Sequence, residues 1–212
     1  MAAFVEQVPL EPRHLIQAAQ AVQAALLPAA QADWSVNAGD LEWDCRSTLD
    51  HMVSAPMFYA TNLAMRSRER MRGVRGPDPE ASVQELLAGL ECAATILAQL
   101  CEAAPADARG FHNAGMADAQ GFLAMAGTEI LVHGGDIAKG LGLLFSPPDE
   151  VCRLVLWRLF PWAPEDVQPW PGLLWAAGRA PLPGKDRQAP DWYWHCAPLS
   201  EWDGTIKRRA AR

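Results

Sequence analysis

The sequence predicts a mainly α fold, a four-helix bundle followed by a small helical extension rich in Pro and Trp. Three observations lead there. Four segments of roughly 20 residues repeat apolar side chains at helical spacing. The stretches between the second, third and fourth, RGVRGPDPEA and EAAPADARGFHNAG, carry the breakers that end one helix and start the next. The composition then shifts, with seven of the nine tryptophans after residue 150. Two units are therefore expected, a bundle over 1–145 and a helical and extended segment over 146–212 that packs on it.

Each element has its own signal. Residues 11–30 place Leu15, Ala19, Val22 and Leu26 on one face of a first helix. A second starts after Trp43, where Asp44 is a good N-cap, and runs to about Arg66. Pro56 lies inside it, so a kink is expected, with the Met52 carbonyl freed from its usual donor. The third opens with the capping box Ser82-Val83-Gln84-Glu85 and continues through Leu86, Leu90, Ala93, Leu97 and Leu100. The fourth spans about Met116 to Lys139 and ends at Gly140, with Lys139 at the negative end of the helix dipole. Residues 150–163 read as a helix that Pro161 ends or kinks, and 166–178 as a short one. The run Trp192-Tyr193-Trp194 suits a short strand or an extended segment across the bundle, its rings either packing or walling a cleft.

Size and charge narrow the function. A chain of 212 residues, 50% hydrophobic, buries a core without disulfide or metal staples, so a metal would serve chemistry more than folding. The formal charge is -7, and only the tail Lys207-Arg208-Arg209-Ala210-Ala211-Arg212 is locally cationic. It reads as a frayed terminus, and nucleic acid is not an expected partner. The five cysteines, Cys45, Cys92, Cys101, Cys152 and Cys196, are odd in number and form no CxxC, which suits a reducing compartment. The first residues, MAAFVEQVPLEPRH, lack a basic region ahead of a long apolar run, and no run of about 18 apolar residues appears. A cytoplasmic protein, monomer or homodimer and not membrane-bound, is the expectation.

The fourth helix carries an anomaly. In Thr128-Glu129-Ile130-Leu131-Val132-His133-Gly134-Gly135-Asp136 a carboxylate and an imidazole stand where an apolar stripe should run. Glu129 and His133 are four apart and share a face, which continues through Phe122 and Ala126 on one side and Ile137 and Gly140 on the other. That face points to the core, where an unpartnered carboxylate is costly. His51, on the side of the second helix that presents Thr48, Ala55 and Phe58, is a candidate partner. Bundles assemble metal sites from inward Glu and His on facing helices. Two His and one carboxylate form a ligand set of catalytic zinc, with a position left open for water or substrate. The plainer alternatives are a solvated Glu129–His133 pair and a satisfied core histidine at 51.

Neighbouring residues keep two readings each. Asp136 either holds a ligand's second nitrogen or an entering substrate, or is an exposed partner of Lys139. Gly134-Gly135 marks either close approach of a ligand or neighbouring helix, or fraying near the helix end. His195 either reaches the cleft as a substrate contact or fourth ligand, or does not. His112 falls in a loop and is expected to be solvated. Cys45 beside Arg46 is expected to be a small buried side chain rather than a nucleophile.

Two segments resemble a known family. Trp43-Asp44-Cys45-Arg46-Ser47-Thr48-Leu49-Asp50-His51 looks like the tryptophan, N-cap and first-ligand histidine of the DinB-like superfamily, in its mycothiol-dependent maleylpyruvate isomerase N-terminal domain group. Glu129-Ile130-Leu131-Val132-His133-Gly134-Gly135-Asp136, followed by Ala138-Lys139-Gly140-Leu141-Gly142, is similar to that group's E-x-x-V-H-x-x-D and terminal L-G. The likeness covers roughly residues 8–145. It implies a DinB-like bundle holding a divalent metal, usually zinc with nickel or ferrous iron as alternatives, on His51, Glu129 and His133. It further implies a thiol cosubstrate such as mycothiol, activated on the ion for thiol transfer or thiol-assisted isomerisation of a small molecule. Residues 146–212 do not match the isomerase's C-terminal domain, which supplies a basic substrate-binding group; Arg179 is a guess for that role, with Trp194 and His195 as further substrate contacts. Two other functions remain open. One is a metal-dependent hydrolase using metal-bound water, with Asp136 as the catalytic base. The other is a non-catalytic bundle that binds a small molecule in its Trp-rich third, its ion closed off by a fourth ligand such as His195.

Overall fold

The computed structural model describes residues 9–72 and 76–209. Side-chain caps start three of its helices. Asp44 accepts the Ser47 amide and opens α2 (Cys45–Ala64); Ser82 and Glu85 exchange the two bonds of a capping box and open α3 (Val83–Ala103); Asp118 accepts the Gly121 amide and opens α4 (Ala119–Gly140). They follow α1 (Pro12–Leu26), which a 3-10 turn over Leu27–Ala29 extends to nearly the expected end. α2 continues through Pro56 to Ala64.

α1 and α2 each pack against both α3 and α4, so four helices surround one core in which α1 and α2 take opposite corners. α3 is long and apolar enough, by length and composition, to cross a membrane, with a mean hydropathy of 1.4 over its best window. Its leucines 86, 87, 90 and 97 are instead buried among the other helices. α4 is enclosed on more sides. A Cβ on Gly134 would lie 2.6 Å from Val22 of α1, and one on Gly135 3.0 Å from Trp170. The glycine pair therefore marks close approach of neighbours, and the helix runs on to Gly140 without fraying at 134.

The segment between α3 and α4 departs from the expected loop. Gly110–His112 (β1) pairs antiparallel with Gly115–Ala117 (β2), and α4 accordingly begins at Ala119 rather than Met116. Strands this short depend on what they rest on. The Phe111 amide donates to the Ser67 carbonyl at 2.8 Å, and Gly110 sits so near the end of α2 that a Cβ would lie 2.6 Å from the Asn62 carbonyl oxygen.

Beyond α4, the helix α5 (Asp149–Leu159) packs on α4 and ends before Pro161, and α6 (Pro169–Ala176) packs on α5. A single continuous core includes residues from α1 through Cys196, so the extension shares the apolar interior of the bundle. The buried Arg158 fastens the two together: it donates to the Asp118 carboxylate at the head of α4 and to the carbonyls of His195, Cys196 and Ala197. Trp192-Tyr193-Trp194 is extended and makes one isolated bridge, Trp192 with Arg208, rather than a strand of a sheet. The cationic tail is not frayed at this point. The Arg209 amide donates to the Asp191 carbonyl at 2.7 Å, and its guanidinium lies 5.6 Å from the Trp192 ring and 5.2 Å from that of Tyr193. Residues 210–212 of that tail lie outside the described residues.

Candidate metal centre

α2 and α4 bring their polar residues together inside the bundle. His51 Nε2 lies 3.2 Å from Glu129 Oε2, and His133 Nε2 lies 3.1 Å from the same oxygen. The two imidazoles stand edge to face, with ring centroids 5.4 Å apart. One ligand atom from each of the three residues lies within 4.8 Å of the others, so the group could hold a metal ion. Ligands about 2.0–2.1 Å from a tetrahedral zinc stand roughly 3.3 Å apart, close to both measured N···O separations.

The Glu129 carboxylate is held at its second oxygen too. Tyr59, two turns beyond His51 on α2, donates its hydroxyl to Glu129 Oε1 at 3.3 Å. Sequence reasoning followed this face of α2 only to Phe58; the spacing of eight from His51 was the signal for Tyr59. Trp43 stands beside the His51 ring, centroids 5.2 Å apart, and leaves the imidazole partly open to solvent.

Behind His133 runs a second line of charge. His133 Nδ1 lies 3.1 Å from Asp136 Oδ2, and Arg179 grips that carboxylate with a two-pronged fork, Nε to Oδ1 at 3.1 Å and Nη2 to Oδ2 at 3.0 Å. Asp136 therefore holds the second nitrogen of His133. Lys139, its alternative partner, pairs instead with Asp40 at 2.9 Å. Arg179 does line the cavity described below, but through this clasp on Asp136.

Proton affinities follow these contacts. Burial pushes the Glu129 carboxyl upward, but hydrogen bonds from His133 and His51 outweigh it and hold the group well below the usual carboxylate range. Burial lowers His133, yet Asp136 and Glu129 together raise it to about 9. Burial likewise raises Asp136, while His133 and Arg179 bring it below its ordinary value. Buried Cys45 is pushed up to about 11, first by desolvation and then by the Asp44 charge; it packs as a small side chain.

The cluster opens on a cavity of about 570 Å³, walled by Trp43, Trp192 and Trp194 and carrying Arg179 and Arg209 at its lining. Trp194 thus stands where a substrate contact was expected. His195 does not. Adjacent residues of an extended chain point to opposite sides, and the His195 ring is buried with Nε2 3.0 Å from the Pro198 carbonyl. It is no part of the three-residue cluster, so no fourth ligand from that position closes the site. His112 also differs from expectation. Placed on β1, it is half-buried between Tyr59 and Trp194, each with its ring centroid 5.7 Å away, rather than solvated in a loop.

No family model matches this chain, and neither a curated protein nor a solved structure matches it.

Proposed function

We propose that this chain is a divalent-metal-dependent enzyme that activates a low-molecular-weight thiol, mycothiol or a relative, for thiol transfer to a small molecule or its thiol-assisted isomerisation. The observation that carries the reading is the meeting of two imidazole Nε2 atoms at one carboxylate oxygen on the wall of a cavity sized for a small molecule. His51, Glu129 and His133 would hold the ion. Zinc suits two nitrogens and one oxygen best, with nickel or ferrous iron accepted by the same set. When bound, the ion supplies positive charge that lowers a thiol's pKa, so that thiolate is present at neutral pH.

The protein's own groups do the rest. Asp136, clamped by Arg179, fixes the His133 ring with Nε2 forward. Tyr59 restrains Glu129 to one orientation. The three tryptophans of the larger cavity exclude water from whatever enters it. The preference for a thiol over water rests on the two segments that resemble the DinB-like group, to which we assign the bundle. Asp136, the base that hydrolysis would use, is committed to His133 and Arg179, which leaves that alternative without its named base. Five unpaired cysteines suit the reducing, cytoplasmic setting in which such thiols act.

Elemental analysis of protein purified without added metal should find one equivalent of divalent ion. His51→Ala and His133→Ala should each weaken its binding by roughly 100-fold or more, since even outer partners of a ligand change affinity 10–100-fold. A screen for thiol conjugation with mycothiol and simpler thiols then tests the chemistry. Full occupancy in His133→Ala, or turnover of esters without any thiol, would overturn the proposal.

A further inference from the structure

α1 and α3 lie side by side and run in opposite directions. Gln20 Nε2 donates to Glu91 Oε1 at 3.0 Å, and Gln23 Nε2 donates to the Leu87 carbonyl at 3.5 Å. Their outward sides form one face of the bundle, away from the candidate metal centre. No residue lining the cavity at that centre belongs to either helix. Nor does any residue lining a smaller cavity of about 380 Å³, which shares His51 and Glu129 with the larger one.

This face is almost free of charge. From His14 to Ala32 the chain has no Asp, Glu, Lys or Arg, and from Leu86 to Cys101 it has Glu91 alone, already met by Gln20. Charged residues make up 20% of the whole chain, so two stretches of this length would ordinarily hold several. What stands outward instead is small or apolar. α1 presents Gln17, Ala24 and Leu27, the last 47% exposed, and α3 presents Ala88, Cys92 and Ile96, the last 41% exposed. Only 44% of the most apolar stretch of α3 is buried within the chain. A surface that meets only water carries charges of both signs, whereas the core of an interface is depleted of them.

The face is also large enough. The stretch from Gln84 to Gln99 is about 23 Å long, and two helices side by side are about 20 Å across. Such an outline, roughened by its side chains, approaches the roughly 800 Å² that each partner of a standard interface buries.

The occupant that fits is a second copy. A partner of different sequence is selected largely by charge, and this face offers almost none. In a chain of formal charge -7, it is where two copies can meet without opposing their acidic surfaces. Its relief also matches itself. Ala88, Cys92 and Ile96 are successive turns of one line, so an antiparallel two-fold through Cys92 lays each Ile96 over Ala88 of the partner subunit.

We infer that this chain forms a symmetric homodimer through the outer face of α1 and α3, the two α3 helices antiparallel and meeting at Cys92. The dimer leaves both cavities open, and it does not rest on the function proposed above.

Sedimentation velocity of the full chain from about 1 to 100 μM tests it. The expected mass is twice 23.1 kDa. Ile96→Lys and Leu27→Lys each put a charge into the face twice over and should raise the dissociation constant roughly 100-fold or more. Both positions are exposed in the single chain, so the helical circular dichroism of the resulting monomers should be unchanged. Leu144→Lys, at a 99% exposed leucine on neither helix, should leave the dimer intact. Copper–phenanthroline oxidation should join two chains through Cys92, since helices packed about 8–10 Å apart bring facing Cα atoms into the range a disulfide spans. The other four cysteines are buried, so Cys92→Ser should remove the cross-link. A monomer at every concentration, a dimer that both lysine variants leave intact, or a dimer that oxidation fails to link overturns the inference.

Discussion

α3 and α4 are close in length, 21 and 22 residues, and both are dominated by apolar side chains, yet they contribute to the fold in opposite ways. α3 buries one stripe of Leu and Ala and leaves the other face in solvent. α4 is buried on nearly every side, touched by α1, α2, α3, α5 and α6, and it carries the polar cluster. The stripe of α3 works by side-chain volume. α4 works by leaving volume out, at glycines where neighbours come within contact of its backbone. Glycine in a helix costs up to about 1 kcal/mol against alanine, which here is offset by closer packing around two imidazoles and two carboxylates. A helix that must keep charged groups inside a bundle is better enclosed than greasy.

That contrast breaks in opposite directions. Truncating α3 should do the most harm: Leu90→Ala empties a fully buried site and should cost about 3 kcal/mol in chemical denaturation. The next largest effect belongs to α4 and to pH. His133 is held up at about 9 against 6.5 for an ordinary histidine, so its charged form stabilises the metal-free fold. That contribution is complete below about 6.5 and is lost as pH rises through about 9, on the order of a few kcal/mol. Denaturation midpoints in chelator should therefore fall between pH 7 and 10, and metal binding, which displaces this proton, should tighten over the same range. A flat profile in chelator would mean that the imidazole is neutral without metal. Enlarging α4 comes third. A Cβ on Gly121 would lie 2.0 Å from the Cys196 carbonyl oxygen, and Gly121→Ala should cost about 2 kcal/mol of stability through the shift it forces. Smallest, and of opposite sign, is the same substitution on α3. At Gly89 a Cβ would stand 3.5 Å from Val53, an ordinary contact, so Gly89→Ala should raise the melting temperature, a gain of about 0.5–1 kcal/mol. Equal responses at Gly89 and Gly121 would erase the distinction between the two helices.

What could be read from the chain was what depends on neighbours a few residues away. The Asp44 and Ser82 caps are local, and so is the Glu129–His133 pair; all three stand where expected. The meeting of His51 with that pair is long-range, but the sidedness of each helix pointed to it. The hairpin left no such mark. Its strands are three residues each and form because the turn after α2 offers the Ser67 carbonyl and α2 leaves room beside Asn62. The surroundings of His112 are hidden for the same reason, since nothing in GFHNAG says that Tyr59 and Trp194 will enclose the ring. In the extension, Trp194 and His195 differ by one residue and by which side of an extended chain they occupy. Arg179 lines the cavity, and its clasp on Asp136 needed the turn after α6 to be placed first.

The Arg158 guanidinium gives the extension a fixed point that composition does not suggest. It ties the segment His195–Ala197 to the head of α4, while Arg179 ties the end of α6 to Asp136 farther along the same helix. Between these two moorings, residues 181–191 run largely over the surface. Both anchors and their acceptors lie outside that span. What hangs between them is tied back by the Trp175 indole, which donates to the Asp186 carbonyl, and by the Trp192 amide, which donates to that of Ala189, before the chain reaches the tryptophans of the cavity wall.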